Sequence, residues 1–147
     1  MKKLCTYLCL FSIVFMVGIF CVSAASPQVF PSSLHISSGS THVGKERDYD
    51  YKNHKISLYP TRIWDSDMTD DYRRDASIRI GLNKKGVLFW GDAEKYITLS
   101  IPTVGQTETA YFGNMGSGTF KYSFNTGTGF NPTGDFDFDP VYMYSYE

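Results

Sequence analysis

Residues 107–125, TETAYFGNMGSGTFKYSFN, show most directly how this chain folds. In the second half of the stretch, aromatic and polar residues alternate, which places Phe120, Tyr122 and Phe124 on one side of an extended backbone. This period of two predicts a strand with one buried and one solvated face. Three glycines in GNMGSG supply the positive φ angles that a chain reversal needs. The stretch therefore predicts a β-hairpin between a short strand, Thr109 to Phe112, and the aromatic strand.

Several other segments alternate in the same way, and none shows the recurrence of apolar residues that marks an amphipathic helix. The further predicted strands are residues 54–59, 76–83, 87–90, 96–101 and 141–146. Pro60 is expected to end its strand or to confine it to a sheet edge. About seven short strands separated by turn signals predict an all-β fold. The expected architecture is a small antiparallel β-sandwich, immunoglobulin-like or jelly-roll-like, and the alternative is a partly open β-barrel.

The first 25 residues predict a removable export signal. Two lysines precede an apolar run from Leu4 to Cys21, and small residues follow at 22–24, as a signal peptidase requires. We expect cleavage after Ala24 or Ala25, release to the extracellular space, and no stable membrane association of the mature chain. An uncleaved anchor is the alternative, because the apolar run approaches the roughly 20 residues that span a bilayer.

The chain is predicted to divide into a signal peptide (1–25), an irregular N-terminal segment (26–50) and a single β domain (51–147). Within the irregular segment, Leu34 and Ile36 could add an edge strand or pack against the core. All three cysteines lie in the leader, so the mature chain has no disulfide, cysteine nucleophile or thiolate metal site. Without Lys2 and Lys3, twelve basic side chains remain against 15 acidic ones, a net charge of −3 that argues against nucleic-acid binding. These features resemble the small exported proteins of Gram-positive bacteria, but no motif transfers residue roles.

An acidic stretch after the first long strand, DSDMTDD, spaces carboxylates in the manner of a calcium-binding loop. Asp65, Asp67 and Asp71 are its candidate ligands. The stretch lacks the glycine and the final glutamate of an EF-hand, so only an irregular calcium loop fits. The alternative is a solvated loop that keeps the protein soluble.

A second acidic stretch, DFDFD, places Asp135, Asp137 and Asp139 on one face of an extended strand, with about 7 Å between successive carboxylates. Like charges at this spacing repel unless water, a basic neighbour or a cation intervenes. The alternative is a charged edge strand that resists pairing with other sheets, with Phe136 and Phe138 in the core. A structural calcium ion is the one cofactor that the sequence suggests, and the two stretches together could form its site.

Aromatic side chains provide the best candidates for recognition, since Tyr and Trp combine a large apolar ring with a polar group. The predicted binding residues are Trp64, Trp90, Tyr142, Tyr144 and Tyr146. Tyr59 and Tyr96 are also expected to point outward. Such rings could stack on sugars or anchor a protein partner, and the alternative is that they form cross-strand pairs that stabilise the sheet.

The sequence contains no G-x-S-x-G motif and no other catalytic signature, so we predict no catalytic residues. We expect a non-enzymatic secreted protein that acts by surface recognition of cell-wall glycan, a host surface or a protein partner. A bacteriocin-like antagonistic protein is the first alternative, although a net negative charge disfavours attack on anionic membranes. A small secreted hydrolase is the second alternative.

Overall fold

The computed structural model describes residues 26–37, 39–65, 77–86, 95–101, 103–126 and 134–147, with backbone alone for residues 64, 65 and 134. These ranges contain nine strands and no helix. The strands are β1 (Gln28–Ile36), β2 (Thr41–Val43), β3 (Arg47–Tyr49), β4 (Asn53–Asp65), β5 (Ser77–Lys84), β6 (Lys95–Ser100), β7 (Glu108–Asn114), β8 (Gly118–Asn125) and β9 (Gly134–Tyr146). In this part of the chain, no helix is therefore available that could cross a membrane.

The strands form two antiparallel sheets. The first sheet has the order β1-β9-β4-β7, and the second has the order β2-β8-β5-β6, with β3 also paired to β8. Buried residues from both sheets form one hydrophobic core. The all-β prediction is confirmed, and the pairing into two separate sheets selects the sandwich from the two predicted architectures.

The core is built from the inward-facing residues of strands along which buried and exposed residues alternate. Ile78, Ile80 and Leu82 of β5 are fully buried, as their alternation predicted. On β9, the rings of Phe136 and Phe138 are stacked with centroids 6.0 Å apart, and both rings lie in the core. The predicted direction of these side chains is confirmed, because period-two alternation decides the face of a strand whatever its partner is.

The predicted hairpin at residues 107–125 is wrong in one respect. Both of its strands exist, but β7 pairs with β4 in the first sheet and β8 pairs with β5, β2 and β3 in the second. The link between them crosses from one sheet to the other. Gly113 and Gly116 have φ of 71° and 78°, as the glycine pattern predicted. His54 holds this link in place, because its Nε2 donates a hydrogen bond of 2.8 Å to the Gly116 carbonyl oxygen.

Residues 26–50, which the sequence predicts to be irregular, contain β1, β2 and β3. The reason is tertiary pairing, since β1 aligns with β9 more than a hundred residues later, for example His35 opposite Asp137. β2 and β3 both align with β8. Strand propensity is low in this serine- and proline-containing segment, and long-range partners determine its conformation.

β4 continues past Pro60 to Asp65 along β9, so Pro60 does not end the strand. The pairing of β4 with β7 stops at Leu58, opposite Glu108, so in the described ranges Pro60 lies at a local edge, as predicted. The register of β4 against β9 shifts on both sides of Pro60, which is opposite Phe138. Such an irregularity accommodates a residue that lacks an N–H group. The predicted strand at 87–90 lies outside the described residues, and the strands observed beside β5 are β6 and β8.

Candidate functional site

Five tyrosines lie on the outward face of the first sheet, together with one lysine. We call this surface the tyrosine face, and it consists of Lys55, Tyr59, Tyr111, Tyr142, Tyr144 and Tyr146. On β9 the alternation is simple, because the intervening residues Val141, Met143 and Ser145 are buried. Three neighbouring strands, β9, β4 and β7, therefore present aromatic rings to the same side.

The register brings these residues into rows that run across the strands. Lys55 on β4 is opposite Tyr144 on β9 and opposite Tyr111 on β7. The next row contains Tyr142, Ser57 and Thr109, and the hydroxyl oxygens of Ser57 and Thr109 are 2.9 Å apart. Strands in a sheet are about 4.8 Å apart, so each row spans roughly 10 Å across the three strands.

The rings of the tyrosine face are accessible, and their hydroxyls are unused. Tyr111 is 62% exposed and Tyr142 is 37% exposed. The rings of Tyr142 and Tyr144 are tilted against each other, with centroids 6.2 Å apart. Within the described ranges, none of the five tyrosine hydroxyls makes a hydrogen bond to protein. Both the apolar and the polar parts of these rings are therefore free to meet a ligand.

A shallow hollow of about 130 Å³ interrupts the tyrosine face between Tyr59 and Tyr142. Ser57, Thr107 and Pro140 complete its lining. Its volume is below the ~300 Å³ typical of sites that enclose a small molecule. The hollow fits a substituent that projects from a larger ligand lying on the face.

The structure brings together three of the five predicted binding residues, Tyr142, Tyr144 and Tyr146. The backbone of Trp64 lies further along β4, opposite Asp135, and its side chain is outside the described part, as is all of Trp90. Sequence reasoning did not identify Tyr111 and Lys55 as candidates. Their signal is weak, since a tyrosine in a short strand and a single lysine both look like ordinary surface residues.

The second acidic stretch lies on β9, which is a central strand between β1 and β4, so the predicted alternative of a charged edge strand is wrong. Neighbouring strands supply polar and basic partners for Asp137 instead. His35 Nδ1 is 2.6 Å from one oxygen of Asp137, and Arg62 Nη1 is 3.9 Å from the other. Asp139 is exposed, and Asp135 is half-buried. A basic neighbour therefore relieves the repulsion at Asp137.

Calcium binding stays a prediction. The backbone of Asp65 is opposite Gly134, next to Asp135, so the acidic stretches approach each other where β4 ends and β9 begins. Asp67 and Asp71 lie outside the described residues. Among the residues that are described, no group of three or more His, Cys, Asp or Glu side chains is arranged to hold a metal ion.

A larger cleft, of about 650 Å³, lies between β1 and β2 where the two sheets meet. His42, Lys45 and Arg47 contribute to its lining, and Phe124 and Met143 are part of its floor. The floor residues are already buried, with Phe124 only 3% and Met143 only 6% exposed. Pro31 and Val43 in the lining are exposed, so a ligand in this cleft would remove apolar surface from water mainly at these two residues.

The groups with strongly shifted pKa values lie in the interior. Burial lowers the pKa of His54, and the nearby Lys84 lowers it further, while the hydrogen bond to Gly116 acts in the opposite direction. Burial also raises the pKa of Tyr49 and Tyr122 well above the ordinary value. Both tyrosines are at most 2% exposed and His54 is fully buried. These shifts reflect core packing and do not mark a reactive site at the surface.

Comparison with known proteins gives no family. No family model matches this sequence, and no curated protein matches it.

Three solved structures illustrate the similarity of fold. The chain is similar to the CBM36-1 domain of a multidomain xylanase from the hindgut metagenome of Trinervitermes trinervoides, at 9% identity over 80% of this chain and 96% of that one, with a TM-score of 0.43. It is similar to PirA at 7% identity over 80% and 94%, with a TM-score of 0.41. It is similar to a Bacillus endospore appendage, from a family of disulfide-linked pili, at 11% identity over 87% and 96%, with a TM-score of 0.33. These likenesses concern the fold alone and assign no function to this chain.

Proposed function

We propose that this protein is a secreted, non-enzymatic β-sandwich that recognises glycans through the tyrosine face. The observation that carries the proposal is the arrangement of five outward tyrosines on three adjacent strands, with hydroxyls that have no protein partner in the described ranges. Recognition of a protein partner would use the same rings, and binding to a protein but to no glycan would contradict the proposal.

Sugars and tyrosines are chemically complementary. A pyranose ring has an apolar C–H face and a rim of hydroxyls, while a tyrosine has an apolar ring and one group that both donates and accepts. Tyrosine also loses little conformational entropy on binding, because only two side-chain torsions are fixed. The hollow on this face, of about 130 Å³, is too small to enclose a small molecule, so the open surface favours an extended polysaccharide chain.

The chemistry of the face favours binding over catalysis. Glycoside hydrolysis generally uses two carboxylates on opposite sides of the scissile bond. The outward side chains in the rows around Lys55 and Ser57 are tyrosine, lysine, serine and threonine. The described part of these rows therefore contains no carboxylate pair.

Binding to a panel of soluble polysaccharides, measured by affinity electrophoresis and calorimetry, tests the proposal. We expect Tyr142→Ala and Tyr144→Ala each to weaken the affinity for a bound glycan about tenfold, since an aromatic stacking contact contributes roughly 1–3 kcal/mol. Tyr96→Ala is the matched control, because Tyr96 is an exposed tyrosine (47%) on β6 of the second sheet. Equal losses in all three variants, or binding only to a protein partner, would overturn the proposal.

Export is tested separately by N-terminal sequencing of protein recovered from the culture medium. We expect the mature chain to begin at Ala25 or Ser26. Recovery of a cell-bound chain that retains Met1 would contradict the secreted part of the proposal and leave the glycan test unaffected.

A further inference from the structure

We infer that the glycan is acidic and that Lys55 binds its anionic group. The inference rests on the proposed function and specifies its ligand class. It is carried by the position of one cation among the rings of the tyrosine face.

The ammonium group of Lys55 lies among three aromatic rings. Its Nζ is 4.7 Å from the ring centroid of Tyr144, 5.7 Å from that of Tyr146 and 5.9 Å from that of Tyr111. At such distances the π-electrons attract the cation and hold its long side chain over the face. The lysine is thereby ordered before a ligand arrives, so less entropy is lost on binding.

The rings hold the ammonium group in position but leave its hydrogen-bond donors without an acceptor in the described ranges. The ammonium group of Lys55 makes no hydrogen bond or ion pair within the described ranges, so its three N–H donors remain available. Other lysines contact an oxygen: Lys85 Nζ is 2.9 Å from a carboxylate oxygen of Glu46, and Lys95 Nζ is 2.6 Å from the carbonyl oxygen of Phe112. Lys55 differs from these two lysines in presenting its charge to a surface that a ligand can reach.

The residues in register with Lys55 leave its charge uncompensated. Its own row contains Tyr144 and Tyr111, and the next row contains Tyr142, Ser57 and Thr109. None of these side chains is acidic. The centre of the tyrosine face is therefore a positive point surrounded by neutral hydroxyl donors, which suits a sugar ring that carries an anion.

Two pairs of probes test the inference and distinguish the source of the anion. The first pair is an oligogalacturonide and its methyl ester, which share the same sugar ring and differ in charge. The second pair is dextran sulfate and dextran. We expect the protein to bind the charged member of at least one pair about three- to tenfold more tightly than the neutral one, as for one ion pair with charge-assisted hydrogen bonds. The preferred pair identifies the anion as a carboxylate or a sulfate ester.

The variant Lys55→Gln should abolish this preference, so that the charged member of the pair binds no more tightly than the neutral one. Lys121→Gln is the control, because it removes the same charge from β8 in the second sheet. If Lys121→Gln reduces the preference equally, general charge attraction explains it and the inference fails. Equal binding of charged and neutral members by the unmodified protein overturns the inference alone. No binding to any of a broad glycan panel overturns the proposed function as well.

Discussion

The outer faces of the two sheets differ, although both sheets contribute to one core. On the second sheet, polar side chains of adjacent strands are hydrogen-bonded to one another. The pairs are Asn83 with Ser123 at 3.2 Å, Asn125 with Thr41 at 2.7 Å and Thr119 with Asp48 at 2.6 Å. On the first sheet, the tyrosine hydroxyls have no such partners in the described ranges. The first sheet pairs Ser57 with Thr109 in the same way, but its five tyrosine hydroxyls remain unused in the described ranges.

This difference indicates what the tyrosines contribute. The second sheet shows that small polar residues suffice on a solvated face, because cross-strand hydrogen bonds satisfy them. Large exposed rings add sheet stability only through modest cross-strand contacts of roughly 0.2–1 kcal/mol. Five tyrosines on the outer face of the first sheet, against one exposed tyrosine, Tyr96, on the described part of the second, therefore support the proposal of recognition.

The largest expected effect is the loss of stability when a core side chain is removed, and this loss should be similar for the two sheets. Phe138 on β9 and Phe124 on β8 are 1% and 3% exposed. We expect Phe138→Ala and Phe124→Ala each to lower the free energy of unfolding by about 3–5 kcal/mol, because each leaves a cavity. Chemical denaturation of both variants measures this. A cost below about 1 kcal/mol for either one would show that the two sheets do not share the core equally.

The sequence predicted which way side chains point, and this followed from local alternation. Phe120, Tyr122 and Phe124 are buried, and Tyr142 is exposed, as expected. A period of two depends only on the extended backbone, so it can be read without knowledge of the partner strand.

The partners themselves could not be predicted, because pairing is a property of distant segments. The alternation in residues 107–125 is the same whether β7 and β8 pair with each other or with β4 and β5 in different sheets. Lys55 became a candidate for the same reason. It is ordinary in sequence, and it gains its surroundings only when β9 and β7 align on either side of β4.

The second effect concerns His54, which lies between the sheets and belongs to neither outer face. Its pKa is lowered in the folded state, mainly by burial. Between this lowered value and the unfolded value of about 6.5, the unfolded chain binds a proton that the native chain does not. Stability should therefore be complete above pH ~6.5 and fall as the pH drops below it. Urea denaturation at a series of pH values measures the change.

The variant His54→Phe isolates this contribution. The variant lacks the hydrogen bond to Gly116. Above pH ~6.5 it should therefore be about 1–2 kcal/mol less stable than the unmodified protein. The difference should shrink as the pH falls, because the variant has no proton to take up. Glycan affinity at fixed pH should be unchanged. A difference that is constant across the pH range would show that His54 takes up its proton equally in the folded and unfolded states, with the same pKa in both.

The smallest expected effect is the coupling energy of a cation–π pair, which can be compared between the two outer faces. Arg79 lies 4.0 Å from the ring centroid of Tyr96 on the second sheet, and Lys55 lies 5.9 Å from that of Tyr111 on the first. Double-mutant cycles with Arg79→Gln and Tyr96→Ala, and with Lys55→Gln and Tyr111→Ala, give the coupling energy of each pair from urea denaturation. We expect about 0.5–1 kcal/mol for the closer arginine pair and less for the lysine pair. A stronger coupling in the lysine pair would mean that the ammonium of Lys55 is held by the rings for stability, and the contrast between the two faces would lose its functional meaning.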